Sequence, residues 1–283
     1  MKEDRKTLLA VLAHPDDESF GMGGTLAKYA RAGYDVHLVC ATRGEAGEVA
    51  PKYLEGFDSI AACRESELRC AAGILGLAEV HFLDYRDSGM EGSPDNQHPQ
   101  ALAVAPIEEV AGKVVDHIRR LKPEVVLTFD PNGGYFHPDH IAMNKASEMA
   151  FHAAGDASAY PGQLPPHQPR KLYFHIFPRR LFRFFIRILQ FFGANPRKWG
   201  RNKDIDLLRI IGEEDYPIHA KINIRSVMDD KLKADACHAS QLDGGPGISR
   251  GVFGLIRRMY RHDNFMRAYP LENSKRIETD LFA

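Results

Sequence analysis

Cysteine is scarce in this chain. Its four cysteines, Cys40, Cys63, Cys70 and Cys237, form no CxxC pair and no short metal-type spacing, which excludes a zinc ribbon or a thioredoxin-like redox motif. Cys63 and Cys70 fall seven apart in a helical pattern, and all four are expected to be reduced packing residues, as in a reducing cytosol. An excess of charge of one sign is equally absent. The 37 Lys and Arg against 38 Asp and Glu leave a formal net charge of −1, which removes any global electrostatic argument for a nucleic-acid partner. No segment reaches the roughly 18 apolar residues of a membrane span. The N-terminus has the outline of a signal peptide, but Glu3 and Asp4 interrupt its basic region and the apolar run from Thr7 to Ala13 is short. That run reads as a buried strand, and the expected location is cytoplasmic. A dinucleotide fingerprint is missing too: Gly21-Met22-Gly23-Gly24 departs from GxGxxG.

What is present is ordinary in bulk and specific in pattern. Hydrophobic residues at 44% and charged residues at 27% suit a globular protein that builds its core without disulfides. Short apolar runs at Thr7–Ala13, Asp35–Thr42, Val80–Leu83 and Glu124–Phe129 alternate with helical patterns at Gly24–Gly33, Arg64–Leu77, Ile107–Leu121 and His140–Ala153. This alternation predicts right-handed βαβ crossovers: a Rossmann-like α/β fold, its sheet mostly parallel with helices on both faces. After about residue 155 the pattern loosens into a variable C-terminal region. There Lys171–Phe177, Ile205–Glu213 and Ile218–Ile224 read as strands and Val227–Gln241 as a helix. The chain reads as one domain over 1–283, with 178–204 standing out as an insertion.

Two clusters carry the chemistry. His14-Pro15-Asp16-Asp17-Glu18 follows the first strand, and His137-Pro138-Asp139-His140 follows the strand ending at Phe129. Adjacent carboxylates repel one another unless a cation compensates them. In a parallel sheet, residues just beyond the carboxyl ends of the strands converge on one edge. Two imidazoles and a carboxylate leave a fourth tetrahedral position open, the pattern of a catalytic zinc site. A further carboxylate can act as general base and a further histidine as general acid.

The paired clusters resemble the motifs of the LmbE/PIG-L family of zinc-dependent de-N-acetylases. That family includes the phosphatidylinositol N-acetylglucosamine deacetylase and the deacetylases and amidases of mycothiol and bacillithiol metabolism. The resemblance continues through Thr42-Arg43-Gly44-Glu45-Ala46-Gly47, Arg64-Glu65-Ser66-Glu67, Tyr85-Arg86-Asp87-Ser88-Gly89-Met90 and, more loosely, Lys233 to Gln241. It implies that His14, Asp17 and His140 bind zinc, with iron or another divalent metal as the substitute. It implies Asp16 as general base, His137 as the acid or oxyanion partner, Asp139 as the residue orienting His137, and Tyr135 as an oxyanion contact. Arg64, Glu45 and His238 are implied as substrate-binding. The implied reaction is hydrolysis of an N-acetyl amide on an N-acetylglucosamine-type substrate by metal-activated water.

Two other readings stay open on the sequence. One is an amidase of the same family that cleaves a larger N-acyl thiol conjugate. The other is a non-catalytic sugar- or nucleotide-binding module, which would have no use for a base beside a metal. The block Arg179–Phe192 is unexplained by the family. Arg179, Arg183 and Arg187 recur every four residues among aromatic and aliphatic side chains. A short basic amphipathic helix of this kind can lie in a membrane interface, meet a lipid-linked substrate, or pack as a lid or an oligomer contact. The pattern leaves the oligomeric state open.

Overall fold

A computed structural model describes residues 5–177, 206–212, 215–242, 261–271 and 276–283, with isolated positions between 183 and 197. Seven strands among the described residues form one sheet: β1 (Thr7–Leu12), β2 (Asp35–Cys40), β3 (Glu79–Phe82), β4 (Val125–Phe129), β5 (Lys171–Ile176), β6 (Ala220–Asn223) and β7 (His262–Tyr269). Their order is β3-β2-β1-β4-β5-β7-β6. The first five are parallel, while β7 runs antiparallel to both β5 and β6. Strands β1, β4 and β5 are buried along their whole length, which is why they read as uninterrupted apolar runs and not as alternating ones. The chain winds outward from β1 to β3 and then returns to β4 on the other side of β1. The switch point of the sheet, where crevices open in folds of this kind, therefore lies between β1 and β4.

The helices are punctuated by residues suited to it. Ile60–Leu75 begins where the Ser59 side chain accepts a hydrogen bond from the Ala62 amide, and it ends at Gly76 in the left-handed region. Ile107–Leu121 places Glu108 and Glu109 in its first turn and Arg119 and Arg120 in its last, both favourable to the helix dipole. It packs against Pro138–Ala153, while Gly23–Arg31, Ile60–Leu75 and Met228–Cys237 pack together on the opposite face. No helix among the described residues is long and apolar enough to cross a membrane.

Three sequence expectations are corrected here. The strand expected over 205–213 is corrected where it is described: Leu207–Gly212 is helical. The Asp206 carboxylate accepts from the Leu208 and Arg209 amides, so a capping aspartate decides what a short apolar run leaves ambiguous. Strand β7 lies in the variable C-terminal region beyond Gln241, where no element is expected from the sequence. Third, the cysteines are not all reduced. Cys70 and Cys237 form a disulfide with a Cα–Cα distance of 5.9 Å, while Cys40 and Cys63 are free. The bridge joins helices that pack face to face although 167 residues separate the two cysteines, a pairing that local spacing does not reveal. The reading of Arg179–Phe192 lies outside the described residues apart from isolated positions.

A cross-link closing so long a loop restricts the unfolded chain. Cys237→Ser, or reduction, is expected to lower stability by about 2–4 kcal/mol, seen as a drop in Tm of the oxidised protein on adding reductant. A Tm indifferent to reductant would show the pair standing open in solution.

Candidate metal centre and active site

The two clusters meet at the switch point. His14 and Asp17 follow β1, and His140 lies in the first turn of Pro138–Ala153, shortly after β4. The Nδ1 of His14 lies 3.2 Å from the Nε2 of His140. Asp17 closes the triangle, with one carboxylate oxygen 3.2 Å from His140 Nε2 and the other 3.5 Å from His14 Nδ1. All three side chains are nearly buried. The far nitrogen of each ring is committed: His14 Nε2 donates to Asp139 at 3.1 Å, and His140 Nδ1 donates to the Gly133 carbonyl at 3.1 Å. When both rings are neutral, the form that ligates a metal, the two nitrogens that face each other carry lone pairs. Donors around a tetrahedral zinc ion stand roughly 3.3 Å apart, so this set of two imidazoles and a carboxylate fits a divalent metal.

The surroundings fix these rings. His140 stacks on Phe129 with ring centroids 3.9 Å apart. Gly133, whose carbonyl holds His140, has φ of 61°, and a Cβ there would come within 2.7 Å of the His140 Cβ. Asp139 is fully buried and accepts from the Ser88 amide at 2.9 Å and the Ser88 hydroxyl at 2.5 Å. The expected pairing of Asp139 with His137 is thus corrected. The carboxylate faces His14, because it sits one residue into the helix and projects across to β1. It is the Asp139 backbone amide that binds His137, donating to Nδ1 at 3.2 Å. That bond makes His137 the helix N-cap and leaves its neutral ring with the proton on Nε2. Burial and the neighbouring His14 and His140 hold the His137 pKa well below the ordinary histidine range.

Asp16 sits beside the triangle in a strained backbone, with φ of 115°, a conformation costing about 1–3 kcal/mol in a non-glycine residue. Its amide donates to Glu18 at 3.0 Å. Arg64 donates to the Pro15 carbonyl at 2.6 Å and to the Asp16 carboxylate at 3.0 Å. Burial pushes the Asp16 carboxyl up to about 6, with Asp17 adding to the rise and Arg64 opposing it. Tyr135 lies edge-on to His140 at 5.0 Å between centroids, and burial raises its phenol above the ordinary value.

The three residues expected to bind substrate are placed differently. Arg64 is 4% exposed, and its guanidinium is taken up by Pro15, Asp16 and Gly44. A Cβ on Gly44 would overlap that guanidinium, which explains the glycine in the Thr42–Gly47 segment. His238 is fully buried and bonded to Glu18 at 2.7 Å. It is therefore corrected from a substrate contact to a support for the loop that carries Asp16. Burial lowers the His238 imidazole, but Glu18 together with Asp16 and Glu67 leaves its pKa raised. Glu45 is half-buried and accepts from the Asp87 amide. Sequence reasoning gave no role to Asp87 or Ser88. Asp87 lies 3.3 Å from His14 Nε2, and contact with His14 holds its carboxyl far below the usual range despite burial. The signal available was position, since Asp87-Ser88-Gly89 follows β3 at the same sheet edge.

The comparisons agree with this geometry. Residues 9–151 match the family model described as PIG-L: GlcNAc-PI de-N-acetylase. The chain is 38% identical over 256 residues to a 1D-myo-inositol 2-acetamido-2-deoxy-alpha-D-glucopyranoside deacetylase of Rhodococcus erythropolis, spanning 87% of this chain and 84% of that relative. The N,N'-diacetylchitobiose deacetylase of Pyrococcus horikoshii superposes with a TM-score of 0.64 at 21% identity, covering 94% of this chain and 84% of its own. The 4-carboxy-2-hydroxymuconate hydratase of Pseudomonas putida KT2440 does so with 0.59 at 23%, covering 96% and 99%. The fold alone thus spans two reaction classes, and the site has to decide between them. By its sequence match and its relatives, the chain belongs to the PIG-L family.

Proposed function

We propose that this protein is a zinc-dependent hydrolase that removes the N-acetyl group from an N-acetylglucosaminyl conjugate of the inositol type. The observation that carries the reading is the pair of imidazole nitrogens facing each other 3.2 Å apart, closed by Asp17 and flanked by a second carboxylate on Asp16. His14, Asp17 and His140 would hold the ion, which when bound polarises an acyl carbonyl and acidifies water. Asp16 takes the proton from the attacking water; a carboxyl raised toward neutrality accepts and returns protons more readily than an ordinary one. His137, neutral with its proton on Nε2, donates a hydrogen bond to the developing oxyanion together with the Tyr135 hydroxyl, and the proton that Asp16 took from the water passes to the departing amine. Asp139 keeps His14 in the tautomer that offers Nδ1. Arg64 positions Asp16, and Glu45 acts through the Asp87 loop. We read 1–283 as one domain with 178–204 as an insertion, and the variable C-terminal region as the part that shapes substrate choice.

The test is release of free amine from N-acetylglucosaminyl-inositol, compared with a bulky N-acyl thiol conjugate and with free N-acetylglucosamine. The acetylated inositol conjugate is expected to be turned over best, and chelation should silence the activity until zinc is restored. Cleavage of the bulky acyl group alone would make the protein an amidase. Amine release from none of them by zinc-loaded protein would overturn the reading.

A further inference from the structure

A second group of metal-binding side chains lies away from the catalytic edge, at the border of the sheet formed by β2 and β3. His37 of β2 pairs in register with Glu79 of β3, and Val39 with His81. Side chains two apart in a strand share a face, so His37, Glu79 and His81 all project to the same side. One ligand atom from each of these three lies within 4.8 Å of the other two, and His81 Nε2 stands 3.6 Å from the Glu79 carboxylate. The helix Ile107–Leu121 adds His117, whose ring centroid is 4.8 Å from that of His81. His37 and His81 are stacked with centroids 5.8 Å apart.

Three imidazole nitrogens here are buried and without a hydrogen-bond partner in the structure: His37 Nδ1, His81 Nε2 and His117 Nδ1. Leaving a buried polar atom unpaired costs about 1–3 kcal/mol, so three in one cluster call for a shared explanation. The rings are also in the right state. Burial lowers the pKa of His37 and His81, and it lowers that of His117 to about 4, leaving neutral imidazoles at neutral pH, the form that ligates metal. Arg120 is the cation that bears on His81 and His117, while Glu79 bears on His37 and His81 and Asp35 on His37.

We propose that His37, His81, His117 and Glu79 form an accessory site for a zinc-type divalent transition metal that ties the edge strand to the sheet and to the helix above it. The donor set is three nitrogens and one carboxylate, which selects zinc-like ions over calcium or magnesium. Its residues are separate from those of the catalytic centre. Strand β3 has four residues and pairs with β2, so an ion bound to both strands and to the helix would hold the edge at three points. One donor atom each of His37, Glu79 and His81 lies within 4.8 Å of the others, against the roughly 3.3 Å of a tetrahedral shell, and Glu79 is exposed.

The experiment is zinc titration of metal-stripped protein against a chromophoric chelator, with metal content measured after dialysis. The wild type is expected to bind two equivalents per chain at micromolar free zinc. His37→Gln/His81→Gln should bind one, with affinity for the second equivalent weakened at least about tenfold. Asp17→Asn/His140→Ala should also retain one equivalent, bound at the accessory site, so the count falls from both directions. Glu79→Gln, an exposed change that leaves folding intact, should weaken the second equivalent alone. A single equivalent in wild type, two equivalents persisting in His37→Gln/His81→Gln, or an unchanged second affinity in Glu79→Gln would overturn the proposal.

Discussion

Asp16→Asn is expected to lower kcat by about 10²–10⁴-fold, roughly 3–5 kcal/mol of barrier, while zinc content stays near that of the wild type. The substitution is close to isosteric. The amide oxygen can still accept from Arg64, which now reaches the carboxylate at 3.0 Å, and the backbone amide keeps its bond to Glu18. Asparagine also tolerates the positive φ of this position at least as well as aspartate does. The fold of the loop should therefore survive, and what is lost is the ability to accept a proton from water. The check is kcat with metal content measured on the same preparation. If zinc disappears together with activity, Asp16 is a ligand; if kcat is unchanged, the base lies elsewhere.

The first half of this molecule was legible because its signals are local. Buried parallel strands announce themselves as short apolar runs, and the two His-Asp clusters sit where each run ends. The rule that strand ends converge at the switch point then brings His14 and His140 together across 126 positions of sequence. Partner choice was not legible. Asp139 lies two residues from His137, and the family resemblance implied that they pair, yet the helical turn aims the carboxylate at His14 and leaves the amide for His137. His238 resembled a site residue, but its partner Glu18 lies 220 positions away, and only the packing of Met228–Cys237 against Ile60–Leu75 turns that imidazole inward. The same packing brings Cys237 to Cys70. Contacts of this length leave no periodic trace, whereas hydrophobic runs and clustered ligands do.

His140→Ala is the second large effect, and it separates a metal centre from a hydrogen-bonded histidine cluster. Losing a partner of a ligand typically costs about 10–100-fold in metal affinity, so losing the ligand itself is expected to exceed roughly 100-fold and to abolish turnover at ordinary zinc levels. Asp139→Asn provides the graded comparison. It weakens the hold on His14 Nε2 without removing any donor to the ion, so its loss should stay within that 10–100-fold window and turnover should recover with excess zinc. His140 also stacks on Phe129, so truncation opens a small void behind the site. His140→Gln, which keeps more of the volume, guards against reading a packing defect as a ligand defect. Affinity is measured by competition with a chelator and folding by Tm. A His140 variant that keeps wild-type zinc affinity at an unchanged Tm would remove His140 from the ligand set. Because His140 and His14 contribute the two nitrogens that face each other, the centre would then be reduced to His14 and Asp17. Both of these come from the five residues following β1, and the end of β4 would then supply no ligand to the ion, only His137 and Asp139 beside it.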